Sequence, residues 1–252
     1  MGDWIRCCHP APDAGVRLLC FPHAGGSVSA YHALSGAVTG IVEPLIVQYP
    51  GRQDRYGEPF AAGADEIVDA VLGELDSGVG SAPLALFGHS MGATVAFEAA
   101  RRLEAQGRPP VALFLSGRRA PSLPRRTGAM RPVREMSDAE LVEEMRKLSG
   151  TADELLASPE LLSLFLPSMR ADYQIVDDYV YRPGEPLSCP VTVLTGDSDP
   201  RVGVEDARAW QREVRGAFSC HVLTGGHFFL NDHLPYVADV IASSLPDPIG
   251  RR

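Results

Sequence analysis

Gly88-His89-Ser90-Met91-Gly92 sets a hydroxyl between two glycines, with an apolar run before it and a helix-forming run after it. Residues 83–87 (Pro-Leu-Ala-Leu-Phe) read as a short buried strand, and 91–105 is rich in Ala, Leu and Glu with apolar positions at helical spacing. A serine at the sharp corner between strand and helix is a nucleophile elbow. The glycines let the backbone take a strained turn that stands the hydroxyl clear of the sheet. Ser90 is therefore the candidate nucleophile, and a base and an orienting carboxylate must converge on it, because a neutral hydroxyl is a weak nucleophile.

Among seven histidines, His227 stands out. It follows Gly225-Gly226 directly after the last expected strand and is expected to open the last helix, in the chain order serine, acid, histidine that suits such an elbow. His233, further along that helix, is the reserve. The acid is sought in Gly196-Asp197-Ser198-Asp199-Pro200. Asp199 has the G-x-x-D spacing from the strand end, whereas Asp197 is placed to brace the turn through its own backbone, and a simple Asx turn is the competing reading for either. The oxyanion formed on attack needs two N–H donors fixed in advance. Met91, next to the nucleophile, supplies one and Ala24, in the loop Pro22-His23-Ala24-Gly25-Gly26, the other. The same glycines could mark an anion site at a helix start, but the phosphate-loop pattern G-x-x-x-x-G-K-[ST] is absent. His23 and His89 read as packing or hydrogen-bonding supports.

The elements that must hold these residues alternate. Strands are expected at 16–21, 41–48 (interrupted by Pro44), 83–87, 111–116, 190–195 and 217–223. Helices are expected from Ser27 to about Val38, at 64–76, at 91–105 and at 228–244. This pattern implies an α/β fold with a mostly parallel, doubly wound sheet covered on both faces. The stretch 117–186 is too long for a simple crossover and carries helical patterns at 137–148 and 158–179. It reads as a helical lid inserted into a single domain spanning 1–252, above the carboxyl ends of the strands where ligands bind.

A chain of 252 residues with 45% hydrophobic content suits one such domain. A net charge of −9 argues against general nucleic-acid binding. No apolar run approaches a membrane span, and residues 1–10 lack a signal-peptide core, so the expected location is the cytoplasm. The five cysteines form no C-x-x-C pair, favouring buried thiols over a zinc site or a disulfide framework. No metal or nucleotide motif appears, and no cofactor is expected.

Taken together, Cys20-Phe21-Pro22-His23-Ala24-Gly25-Gly26, Tyr49-Pro50-Gly51-Arg52, Gly88-His89-Ser90-Met91-Gly92 and Gly225-Gly226-His227-Phe228 resemble the type II thioesterases of polyketide and nonribosomal peptide pathways, over about residues 16–245. The resemblance implies an α/β-hydrolase fold with a helical lid, a triad of Ser90, His227 and Asp199, and hydrolysis of acyl groups from the phosphopantetheine arm of carrier proteins, usually as editing. In that setting Asp199 fixes the tautomer of His227 and offsets the helix N-terminus beside it. From Gly117 to Arg134 there are six arginines (Arg118, Arg119, Arg125, Arg126, Arg131, Arg134) and no acidic residue. Such a patch would steer an acidic carrier, the alternative being a solvated loop. Acyl preference would depend on how Met145, Phe165 and Met169 pack over the elbow. A general esterase on free esters and a non-catalytic binding protein are the competing functions, and a monomer is the default state.

Overall fold

The computed structural model describes residues 2–78, 82–124, 131–148 and 158–246. The central strand sequences are apolar on both sides, which requires a sheet covered on each face. Seven strands form it: β1 (Ile5–Arg6), β2 (Arg17–Phe21), β3 (Glu43–Val47), β4 (Leu84–His89), β5 (Ala112–Ser116), β6 (Val191–Gly196) and β7 (Phe218–Leu223). Their order is β1-β3-β2-β4-β5-β6-β7, and every neighbouring pair is parallel except β1 with β3. Around the sheet lie α1 (His32–Val38), α2 (Ala64–Gly78), α3 (Met91–Ala105), α4 (Asp138–Leu148), α5 (Pro159–Asp178), α6 (Val204–Arg208) and α7 (Leu234–Ser244).

Because side chains alternate across a strand, each strand feeds two cores. Leu19, Phe21, Leu86, Leu113, Leu115 and Val193 pack on one face with α2 and α3. Leu18, Cys20, Ile46, Phe87, Phe114 and Leu194 pack on the other with α1 and α7. The register aligns the carboxyl ends of the strands, with Phe21 opposite Gly88, His89 opposite Ser116, and Gly196 opposite Leu223. Loops leaving those ends therefore meet over one edge of the sheet, and they carry His23–Gly26, Ser90, Gly117–Arg118, Asp197–Asp199 and Gly225–His227. Between β5 and β6, α4 and α5 pack on each other through Val133, Leu141, Val142, Met145, Met169 and Tyr173.

Three local features differ from the sequence expectation. β1 is a two-residue antiparallel edge, too short for any periodicity to reveal. The segment after Ser27 begins as a 3-10 turn (Val28–Tyr31), and Ser27 gives no side-chain cap, its hydroxyl lying beside that of Ser29 instead. The last helix starts at Leu234 rather than 228, after a 3-10 turn over Phe229–Asp232. Pro235 explains the shift: a proline is accommodated in the first turn of a helix and disrupts its interior, so the helix cannot begin a full turn or more ahead of it. His227 thus stands in a loop well before α7, and a helix N-terminus does not act on it. No helix among the described residues is long and apolar enough to cross a membrane. No group of three or more His, Cys, Asp or Glu among them is placed to hold a metal ion, and all five cysteines are free.

Candidate active site

Ser90 sits between β4 and α3 with φ 55° and ψ −116°, a conformation that L-residues hold only when their surroundings force it. The glycines on either side are obligatory. A Cβ on Gly88 would lie 2.2 Å from the carbonyl oxygen of Gly92, and one on Gly92 would lie 1.9 Å from that of Phe21. The elbow is pinned by the Ser90 N–H, which donates to the carbonyl of Ser116 on the adjacent strand (2.8 Å).

His227 and Asp199 converge on this hydroxyl. Nε2 of His227 is 2.9 Å from Ser90 Oγ, and Nδ1 is 2.7 Å from Asp199 Oδ2. The imidazole is almost fully buried and the Asp199 carboxylate wholly so. A carboxylate can only accept, so Nδ1 carries the proton and Nε2 is left to accept from the serine. The other carboxylate oxygen of Asp199 accepts the N–H groups of Arg201 (2.8 Å) and Val202 (3.2 Å), which fixes its orientation. Asp197 points elsewhere: its Oδ1 accepts from the N–H of Gly225 (3.0 Å) and the hydroxyl of Ser198 (2.9 Å), bonds that hold its carboxyl below the usual range. The two aspartates of one turn thus have separate surroundings. His233 lies 2.9 Å from the carbonyl of Thr224 and is not directed at the elbow.

The loop after β2 makes a tight turn in which the Gly26 N–H donates to the carbonyl of His23 (2.8 Å). Gly25 takes φ +75° at its third position, as a type II turn demands. Ala24 lines the cavity beside Ser90, and Met91 is the first residue of α3, so its N–H has no partner within the helix.

A second cluster holds this turn, and sequence reasoning missed it. Arg52 and Asp172 form a buried two-pronged ion pair, Nη1 to Oδ2 at 2.6 Å and Nη2 to Oδ1 at 2.7 Å. The same Oδ2 accepts the N–H of Gly25 (2.7 Å), and Nη1 of Arg52 also donates to the carbonyl of Gly26 (3.1 Å). The Gly25-Gly26 end of the turn is thereby held between Asp172 of α5 and Arg52 of the loop after β3. Arg52 ends the stretch Tyr49-Pro50-Gly51-Arg52, whose proline and glycine signal a turn and nothing of a buried ion pair. Asp172 had one available signal, a carboxylate on the apolar face of a helix at the i, i+4, i+7 spacing of Phe165, Met169 and Asp172.

Breaking a buried pair leaves an uncompensated charge, whereas removing both partners does not. Asp172→Asn is therefore expected to lower stability by about 3–5 kcal/mol. The double change Arg52→Met with Asp172→Leu is expected to restore most of it while kcat stays about tenfold low, because the clamp on the turn is still gone. Denaturation midpoints and kcat measured on both variants check this.

His89 and His23 pack behind the triad, with ring centroids of His89 5.1 Å from His227 and 5.9 Å from His23. His89 lies opposite Ser116, Nδ1 to Oγ at 2.9 Å. Burial, and then the neighbouring His227, push the pKa of both rings down, His23 to about 3 and His89 well below 6.5. The folded state keeps them neutral while the unfolded chain protonates them near pH 6.5, so the stability they carry is full above that pH and is lost as pH falls toward the folded values. Each is expected to remove about 2 kcal/mol between pH 7 and pH 5, measurable as a falling urea midpoint that His89→Gln flattens.

The elbow opens into a cavity of about 1040 Å³. Thr94 and Phe97, one and two turns along α3 from Ser90, line it together with Met145, Phe165, Met169, Tyr179, Tyr181 and Trp210. Arg118 and Arg119 line it and are partly exposed. Arg131 and Arg134 are exposed and paired with Glu140 (3.1 Å) and Asp178 (3.3 Å). Arg125 and Arg126 lie outside the described residues.

Residues 16–245 match the thioesterase domain family. The chain is 44% identical over 245 residues to thioesterase PikA5 of Streptomyces venezuelae, covering 97% of this chain and 86% of that protein. It superposes on the type II thioesterase BorB of the borrelidin biosynthetic cluster with a TM-score of 0.87 at 45% identity, covering 96% of this chain and 98% of the other. On YbtT, a type II thioesterase of the yersiniabactin NRPS/PKS pathway, the TM-score is 0.86 at 29% identity, with 97% and 98% covered.

Proposed function

The chain belongs to the thioesterase domain family, and from that premise we propose that it hydrolyses acyl groups from the phosphopantetheine arm of carrier proteins, clearing polyketide or nonribosomal peptide carriers blocked by unproductive acyl groups. One observation carries the reading: the hydrogen-bonded run from Asp199 through His227 to Ser90 opens, at its serine end, into a cavity large enough for an acyl chain and the end of its thiol arm.

In the reaction, Ser90 Oγ attacks the thioester carbonyl carbon as its proton passes to Nε2 of His227. The N–H groups of Met91 and Ala24 receive the oxyanion, and Asp199 stabilises the imidazolium. Collapse of the tetrahedral intermediate breaks the C–S bond, and the departing thiolate takes the proton from Nε2. Water, deprotonated by the same nitrogen, then attacks the acyl-serine; the proton returns to Oγ and the free acid leaves. No step calls for a metal or a cofactor.

Residues 117–186 serve as a lid in this reading, since α5 lies on the turn that presents Ala24. The arginine-rich run 117–134, with Arg125 and Arg126 at its centre, steers an acidic carrier to the mouth of the cavity. The working unit is a single chain, because one chain supplies the whole constellation. Free cysteines accord with a reducing cytoplasm.

The test is mass spectrometry of acyl-loaded carrier proteins after incubation with the enzyme, run beside p-nitrophenyl esters of the same acids. Faster release from the carrier is the expected result; preference for the free ester would make the chain a general esterase. Arg125→Glu with Arg126→Glu is expected to lower kcat/KM on the carrier at low salt and to leave small esters untouched.

A further inference from the structure

Arg118 is a cation of the cavity wall that the hydrolysis above does not use. Its carbonyl accepts the indole N–H of Trp210 (2.7 Å), which fixes the backbone, but among the described residues its guanidinium makes neither a hydrogen bond nor an ion pair. The carboxylate of Glu98, which accepts from the hydroxyl of the cavity residue Tyr179 (2.6 Å), pairs with Arg101 (3.3 Å). Asp177 accepts the N–H of Val133 (2.6 Å). Beside Arg118, Arg119 reaches Asp206 only loosely at 3.8 Å, and its Nε is buried without a partner.

The described part of the wall holds Arg118, Arg119, Arg201 and Lys147 against Glu144 and Asp177, an electropositive lining in a chain of net charge −9. Burial, with Arg119 and Arg201 close by, pulls the Arg118 guanidinium down to about 10, still protonated at neutral pH. The guanidinium is partly withdrawn from water, and a cation so placed is stabilised by a fork of anionic oxygens that satisfies its donors.

Its position says where that anion would sit. Arg118 follows β5 by two residues, and the Ser90 N–H is bonded to the β5 carbonyl of Ser116, so the arginine is rooted about 7 Å along the chain from the elbow's anchor. Arg118 lines the same cavity as Ser90, whereas the phosphate is carried at the far end of the pantetheine arm.

Resting on the thioesterase reading, we propose that Arg118, with Arg119 beside it, forms an anion subsite within the cavity that binds a carboxylate carried on the acyl chain, making half-thioesters of dicarboxylic acids substrates of this enzyme. A phosphate of the arm offers the same chemistry to the fork, and the substrates chosen below separate the two sources.

The experiment compares succinyl and pentanoyl thioesters, each as the N-acetylcysteamine form, which has no phosphate, and as the phosphopantetheine form, on wild type, Arg118→Met and Arg118→Lys. Expected is a loss of about 100-fold in kcat/KM for both succinyl substrates in Arg118→Met, partial recovery in Arg118→Lys, and less than about threefold change for pentanoyl N-acetylcysteamine. A loss on both phosphopantetheine substrates and on neither N-acetylcysteamine one would retain the anion subsite and assign it to the phosphate. Equal loss on all four substrates, or no loss on any, would overturn it. Calorimetric titration of the succinyl thioester into Ser90→Ala protein, with and without Arg118→Met, reads the subsite without turnover. An inactive triad and an absent subsite therefore give different results.

Discussion

Ser90→Ala is expected to lower kcat on carrier-bound acyl groups by about 10⁴- to 10⁶-fold while the protein stays folded. The hydroxyl is the only atom removed, and alanine is strained no further than serine at φ 55°. What survives should be the contribution of the oxyanion donors and of substrate positioning, roughly 10³ over the reaction in water. Single-turnover mass spectrometry of a loaded carrier detects both the lost hydrolysis and the missing acyl-enzyme. Retention of more than about 1% of wild-type activity would remove Ser90 from the nucleophile's role.

The next largest effect is expected at the acid, where two aspartates of one turn make an internal control. Asp199→Asn should cost about 10⁴-fold in kcat, because an amide in place of Oδ2 can present its NH₂ to Nδ1 and favour the tautomer whose Nε2 already bears a proton. That imidazole cannot accept from Ser90. Asp197→Asn should cost less than about tenfold, since that carboxylate only braces the turn through Gly225 and Ser198. Steady-state kinetics of the pair, with circular dichroism to show both folded, decides the assignment. Equal losses would sink it.

Much of this arrangement is legible in the amino-acid sequence. Strand 84–89, the glycines around Ser90 and the helix after it announce themselves because each is a local pattern: a short apolar run, a backbone needing glycine, a helical period. The Gly225-Gly226-His227 step was legible for the same reason. Periodicity gave no hint of β1, which exists through pairing with β3 and not through its own two residues. The start of the last helix is hidden in the continuous apolar pattern over 228–244, and only Pro235 marks where a helix can begin. Arg118 and Arg119 read as surface charge, since a run of arginines in a loop usually is. The direction in which β5 delivers them, into the cavity, is a tertiary fact. Least legible was the bond between Arg52 and Asp172, whose partners are 120 positions apart and belong to elements with no shared pattern.

That last pair also governs how the gene can drift. A codon change at position 52 or at position 172 alone would strand a charge in the interior, and a lineage carrying it would have to survive a step of several kcal/mol before a second change could relieve it. Descendants of this chain should therefore keep both residues or exchange both, and a laboratory library that varies one site at a time would return each of them as immutable.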